Sequence, residues 1–184
     1  RRSRLLRLQT RIINDARIEL SQEFDRNFER KAFFNEKWAS NRLINNRGTM
    51  MARSGALRRS IKSSAAVNQI RWTSSVPYAS IQNEGGEIVV TDKMKRFFWA
   101  MFYKASGAIS KSKGGKPNPS ERNQKLSLEA QQWRALALMK VGQKMKIPER
   151  RFIGDHPQVK IILQEVIDLN LVELNSYITN ELKR

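Results

Sequence analysis

Two runs of apolar residues at helical spacing, one towards each end of the chain, set the strongest limit on its fold. In the first, Leu8, Ile12, Ala16, Leu20, Phe24 and Phe28 recur within Leu5 to Phe28, separated mainly by Arg, Asp, Glu and Gln. A step of four is slightly longer than a helical turn, so this stripe drifts around its helix and suits packing across another element or a neighbouring subunit. The second run opens at Pro157, whose missing amide proton costs nothing in a first helical turn. It continues through Val159, Ile162, Leu163, Val166, Ile167, Leu171, Leu174, Ile178 and Leu182. A long amphipathic helix is therefore expected at each end, over 1–31 and 157–182.

Between them the pattern changes. Residues 32–56 read as a connector anchored by Phe33, Phe34 and Trp38 and interrupted by Asn45, Asn46, Gly48, Ser54 and Gly55. Short runs at Leu57–Ser63, Val67–Thr73, Pro77–Gln82 and Glu87–Thr91 suit strands of a meander over 57–91, with Ile70 and Trp72 on one face and Val67, Gln69, Arg71 and Thr73 on the other. Asn83-Glu84-Gly85-Gly86 would be the turn before the last of these strands. Met94–Lys104 has helical character and is dense in aromatics. Residues 106–123, rich in Gly, Ser, Lys, Asn and Pro, are expected to be a mobile basic loop, followed by a helix over Leu126–Met145 and a turn over Ile147–Gly154. The expectation is a single α+β domain over 1–184, in which a small antiparallel sheet of about four strands packs with the long N- and C-terminal helices.

The chain has 35 Lys and Arg against 17 Asp and Glu, a formal charge of +18 that exceeds what solubility needs. Nucleic acid, an anionic membrane surface and an acidic protein are all compatible partners. Residues 1–60 carry 15 basic and 6 acidic side chains and residues 61–150 carry 16 and 6, whereas residues 151–184 carry 4 and 5. There is no Cys, which removes disulfides, thiolate metal sites and thiol nucleophiles and points to a reducing compartment. No apolar run reaches the length that spans a bilayer and no secretory signal opens the sequence, so a soluble, unexported protein is expected, with a short leader before Arg1 allowed.

Catalysis needs convergent nucleophiles, acids and bases, and this composition supplies few. The single histidine, His156, stands between Asp155 and Pro157 at a helix start, which suits a capping or turn role. Metal-ligand spacing is absent, and neither Gly85-Gly86 nor Gly114-Gly115 has the strand, glycine series and helix start of a phosphate cradle. A protein without catalytic residues, metal or cofactor is expected. Arg1, Arg2, Arg4, Arg7 and Arg11, and Lys104, Lys111, Lys113 and Lys116, are candidates for contacts with DNA phosphates or an acidic partner.

Four segments, read in order, resemble the virion-morphogenesis or tail-completion family of tailed bacteriophages, the Mu G-like head-tail joining proteins. Asn27-Phe28-Glu29 followed by Trp38 resembles the family's opening. Met51–Ile61 is similar to its Ser-Gly-x-Leu-x-x-Ser-Ile element through Ser54, Gly55, Leu57, Ser60 and Ile61. Pro77–Gly86 is similar to its Tyr-Ala-x-Ile-His-x-x-Gly-Gly segment through Tyr78, Gly85 and Gly86, with Gln82 where a His is common. Ile147–Gly154 resembles its Ile-Pro-x-Arg-x-Phe-x-Gly turn through Pro148, Arg150, Phe152 and Gly154. The resemblance covers residues 20–180 apart from the basic insertion at 106–123. It implies a non-enzymatic structural virion protein, made in the host cytoplasm, that forms an oligomeric ring, expected to be a hexamer, at the neck. Its partners would be other copies of itself, further neck, tail and connector proteins, and packaged DNA contacted without sequence specificity, with no membrane involved. The same motif residues also suit a purely internal role in the subunit's fold. The alternative from another class is a non-specific nucleic-acid-binding protein of the cytoplasm, for which +18 is the motive.

Overall fold

A computed structural model describes residues 2–40, 51 and 54–182. In chain order the elements are α1 (Arg2–Arg30), β1 (Ala32–Phe33), β2 (Glu36–Lys37), α2 (Ala56–Ser60), β3 (Ile61–Ala66), β4 (Gln69–Ser74), α3 (Ala79–Glu84), β5 (Gly86–Val89), α4 (Asp92–Gly107), α5 (Glu121–Ala137), β6 (Lys144–Ile147) and α6 (Pro157–Leu182). The fold is α+β with a long helix towards each end, as the two apolar runs require. Where one domain was expected, contacts group the chain into two compact units: Arg1–Trp38 with Met51–Glu84 and Arg150–Arg184, and Ala39–Met50 with Gly85–Glu149.

In the first unit, Ala16, Leu20, Phe24 and Phe28 of α1 are buried, so this half of the drifting stripe serves the chain's own core. Each of the large side chains contributes on the order of 2 kcal/mol by leaving water. Phe24 meets Phe33 at 6.4 Å, Phe34 at 6.2 Å and Trp72 at 5.2 Å between ring centroids. Helix α6 runs antiparallel along α1 and adds Val159, Ile162 and Leu163 to the same cluster. Asn170 of α6 donates to Asp15 at 3.0 Å, and Glu173 pairs with Arg11 at 2.5 Å. The β3–β4 hairpin runs from Ile61 opposite Ser74 to Ala66 opposite Gln69. Its alternation is the expected one: Ile70 and Trp72 turn inward, and Trp72 Nε1 donates to Ser21 Oγ on α1 at 3.0 Å.

The second unit is a helical hairpin beside a ribbon. Helices α4 and α5 approach through Phe98, Ala105, Ala130 and Ala137, whose small members allow a close contact. Strand β5 pairs with β6 from Gly86 opposite Ile147 to Val89 opposite Lys144. Beyond that ladder, Val90, fully buried, donates to Gln143 O and accepts from Gly142, each at 2.9 Å.

Several expected elements are corrected. There is no four-stranded meander over 57–91; among the described residues the strands form three separate two-stranded antiparallel sheets. Pro77–Gln82 is not a strand. Pro77 leads into α3, and Gly85 ends it in the left-handed conformation at φ 71°, the common arrangement of Pro before a helix and Gly after it. Leu57–Ser63 begins as α2, because Gly55 at φ 69° turns the chain and Ser60 Oγ closes back on Leu57 O at 2.7 Å. The helix expected over Leu126–Met145 starts earlier, at Glu121, and stops at Ala137; Gly142 at φ 87° turns the chain beyond it, and Lys144-Met145-Lys146-Ile147 alternates as a strand. Within 106–123, expected to be a mobile basic loop, α4 runs on to Gly107, α5 starts at Glu121, and residues 108–120 wrap around the buried Asn123, whose Nδ2 donates to Ser110 O at 2.9 Å and Asn118 O at 2.8 Å. Lys111 and Pro117 form a bridge across this segment.

Gly85 is required twice over, by its positive φ and because a Cβ there would lie 2.8 Å from Glu149 N. Gly85→Ala is expected to lower the unfolding free energy by about 1–3 kcal/mol. Gly114→Ala, whose nearest neighbour would be Ser112 Oγ at 4.0 Å, is expected to change it by less than about 0.5 kcal/mol, both read from urea unfolding of the full chain.

Candidate functional site

The turn from Arg150 to Ile153 has no regular secondary structure, so its main-chain groups need partners from elsewhere. They come from three distant segments. Arg150 N–H donates to Gln82 O at 2.9 Å. Trp38 Nε1 donates to Arg151 O at 2.5 Å. Asn83 Oδ1 accepts from both Phe152 N at 2.9 Å and Ile153 N at 3.1 Å. Asn27 Nδ2 donates to Phe152 O at 3.1 Å while its Oδ1 accepts from Phe34 N at 2.9 Å. Asn27 is fully buried, and the Phe152 ring lies 5.1 Å from Phe28, which in turn meets Trp38 at 5.7 Å.

The two arginines of the turn face different surroundings. Arg150 is buried, and loss of water lowers its guanidinium pKa from the ordinary value, though an arginine so placed still carries its charge. Arg151 sits over the Phe33 ring at 5.9 Å. His156 stacks on Phe34 at 4.6 Å, its Nδ1 accepts from Gln158 N at 3.1 Å at the start of α6, and its Nε2 is 3.9 Å from Glu36 Oε1. This is the capping position expected of it.

The Ser-Gly-x-Leu-x-x-Ser corner is tied to α1 by a residue between the motif positions. Arg58 reaches Asp25 with two nitrogens and Glu29 with one at 2.7 Å. The hydrogen bonds it donates to Asp25 first, and then to Glu29, raise its pKa above the ordinary arginine value. Around it, Leu57 is buried, Ser54 Oγ accepts from Ala56 N at 3.3 Å, and Ser60 Oγ also meets Ser74 Oγ at 2.7 Å.

The remaining predicted residues do not join this cluster. Tyr78 is 42% exposed, and its backbone oxygen accepts from Gln82 N at 3.1 Å. Gly86 and Pro148 belong to the β5–β6 unit with Gly85. Gly154 follows the turn, with the aliphatic part of Arg151 3.1 Å from where its Cβ would be. Arg1 lies outside the described residues, and Arg2 and Arg4 are placed only as backbone of α1. Arg7 is exposed, and Arg11 is engaged with Glu173 and, at 3.8 Å, Asp15. Lys111, Lys113 and Lys116 are exposed together in the 108–120 segment.

Chemically the arrangement is a framework. A shallow hollow of about 370 Å³ lined by Glu23, Arg30, Phe34, Asn35, Gln158 and Ile162 has its one carboxylate held by Arg30 at 2.9 Å and by Arg26. Among the described residues no group of three or more His, Asp or Glu could hold a metal ion, and no helix is long and apolar enough to cross a membrane. Arg58 was not singled out in the sequence, Asn83 only as part of a turn and Asn27 only as part of a motif. An amide inside the stripe between Phe24 and Phe28 was the available signal for Asn27, whereas nothing local marks Arg58. The chain matches no family model, no curated protein and no solved structure.

Asn27→Ala would leave the Phe34 amide and Phe152 carbonyl without their buried partner, and is expected to cost about 2–4 kcal/mol. Asn83→Ala is expected to cost about 1–3 kcal/mol, and the double variant less than the sum, because both amides hold Phe152. Denaturant unfolding of the two single variants and the double variant measures this coupling.

Proposed function

We propose that this chain is a non-enzymatic structural protein of a tailed-bacteriophage virion, a tail-completion or neck component that assembles in the host cytoplasm into a ring joining tail to head. The observation that carries the reading is that residues from all four family-like segments meet. Asn27 and Trp38 from the first and Gln82 and Asn83 from the third hold the turn of the fourth. Arg58 from the second pairs with Glu29 of the first. Segments far apart in sequence thus make one scaffold, which is what a family defined by subunit architecture rather than by chemistry requires. A hexamer is the expected ring. The purified chain with its neck partners is expected to form a closed oligomer by light scattering and to lie between head and tail in a map of the intact particle. A strict monomer under those conditions would exclude the reading.

The second reading, a non-specific nucleic-acid-binding protein, is favoured by the +18 charge and by the exposed Lys111, Lys113 and Lys116. It predicts a steep salt dependence, about 0.9 in the log–log slope for each duplex phosphate neutralised. Triple substitution of these lysines by Gln is then expected to lower the slope measured by anisotropy. Absence of binding at low salt removes this reading.

A further inference from the structure

Two helix faces on the surface carry uncovered apolar side chains, and their charges are opposite. On α6, Ile161, Glu165, Asp168 and Val172 follow one another at helical spacing on the side away from α1, with Leu169 beside them. The three apolar residues are 48%, 64% and 67% exposed for Ile161, Val172 and Leu169. Neither carboxylate makes an ion pair among the described residues; Asp168 accepts only from Gln164, at 2.8 Å. On α4, Lys93, Arg96, Phe97, Ala100, Tyr103 and Lys104 form the outward face, again at helical spacing, and all are exposed. Its three cations likewise make no ion pair among the described residues.

The two faces match in three respects. Helix α6 has one Lys against four carboxylates, a net −3, and α4 has four basic residues against one Asp, a net +3. Ile161 to Val172 and Lys93 to Lys104 each span eleven residue steps, about 16 Å of helix at 1.5 Å per residue. Ala100, at the centre of the α4 face, gives a facing helix room to approach between Phe97 and Tyr103. An anionic polymer or membrane could cover the α4 face but would be repelled by the α6 face. A second copy of this chain covers both.

We propose that the α4 face of one copy docks on the α6 face of the next. Because the two surfaces differ, the contact is head-to-tail and leaves each docked pair with one free α4 face and one free α6 face, the arrangement that yields a ring when the rotation between copies closes. The proposal rests on the ring reading above and specifies its contact. Two charge-reversed chains test it: Glu165→Lys with Asp168→Lys, and Arg96→Glu with Lys104→Glu. Each alone is expected to raise the concentration at half-assembly about tenfold or more, since like charges then face each other, and an equimolar mixture is expected to restore assembly. Sedimentation velocity reads both, with circular dichroism melting to check that each variant is folded. Because the chain has no Cys, Ala100→Cys and Asp168→Cys provide a second measurement on exposed positions that does not depend on charge reversal. Mixed under mild oxidation, they should cross-link to each other faster than either does to itself. Reversed chains that assemble like the wild type, a folded mixture that does not recover, or cross-linking with no preference for the mixed pair would each overturn the contact while leaving the ring standing. Assembly abolished by nuclease would overturn it in favour of nucleic acid on α4. A wild-type chain that never assembles, even with neck partners, would remove the ring and this contact together.

Discussion

The side-chain amide of Asn27 is the constraint on which the first unit depends. It lies fully buried in the apolar face of α1, where an unpaired amide would cost several kilocalories per mole, and both ends are engaged. One end accepts from Phe34, which holds a left-handed backbone conformation at φ 53° that a bulky residue rarely adopts. The other end donates to Phe152 in the turn before α6. A single side chain thereby joins the long helix, the β1–β2 hairpin and the entry to the last helix. Asn83 and Trp38 hold the neighbouring groups of the same turn, so the segment is anchored by side chains in place of a strand or helix ladder.

Around this polar centre the core is aromatic and thin. Phe24, Phe33, Phe34 and Trp72 pack edge-on or stacked on one side, and Phe28, Trp38 and Phe152 on the other. The second unit has still less to bury, with Phe98 and Val90 as its large buried apolar side chains and alanines completing the α4–α5 contact. Among the described residues, a helical hairpin with one thin ribbon leaves its opposite helix face without a layer over it. That is why Phe97 and Tyr103 remain exposed.

Charge follows a related division. In the first unit many arginines are matched by carboxylates: Arg58 with Asp25 and Glu29, Arg11 with Glu173, Arg26 and Arg30 with Glu23. In the second unit Lys144 pairs with Glu87, while Lys93, Arg96, Lys104, Lys111, Lys113 and Lys116 make no ion pair among the described residues. The +18 total is therefore a matched scaffold plus exposed basic surface.

The sequence by itself determined the two long helices, the Ile70/Trp72 alternation and the capping role of His156. Each is a local matter of periodicity or of a residue's place at a helix start, which neighbouring residues decide. It misplaced the elements where short apolar runs fit helix and strand equally well, at 57–63 and 77–82, because there the choice fell to Gly55, Gly85 and the pairing of Arg58 with α1. It also read 106–123 only as a mobile basic loop, where one buried amide, Asn123, organises the backbone. Only the tertiary structure decided which residues hold the 150–153 turn. Asn27, Trp38 and Asn83 are separated from their partners in it by 125, 113 and 69 residues, and a buried carbonyl takes whatever donor the fold brings within hydrogen-bond distance.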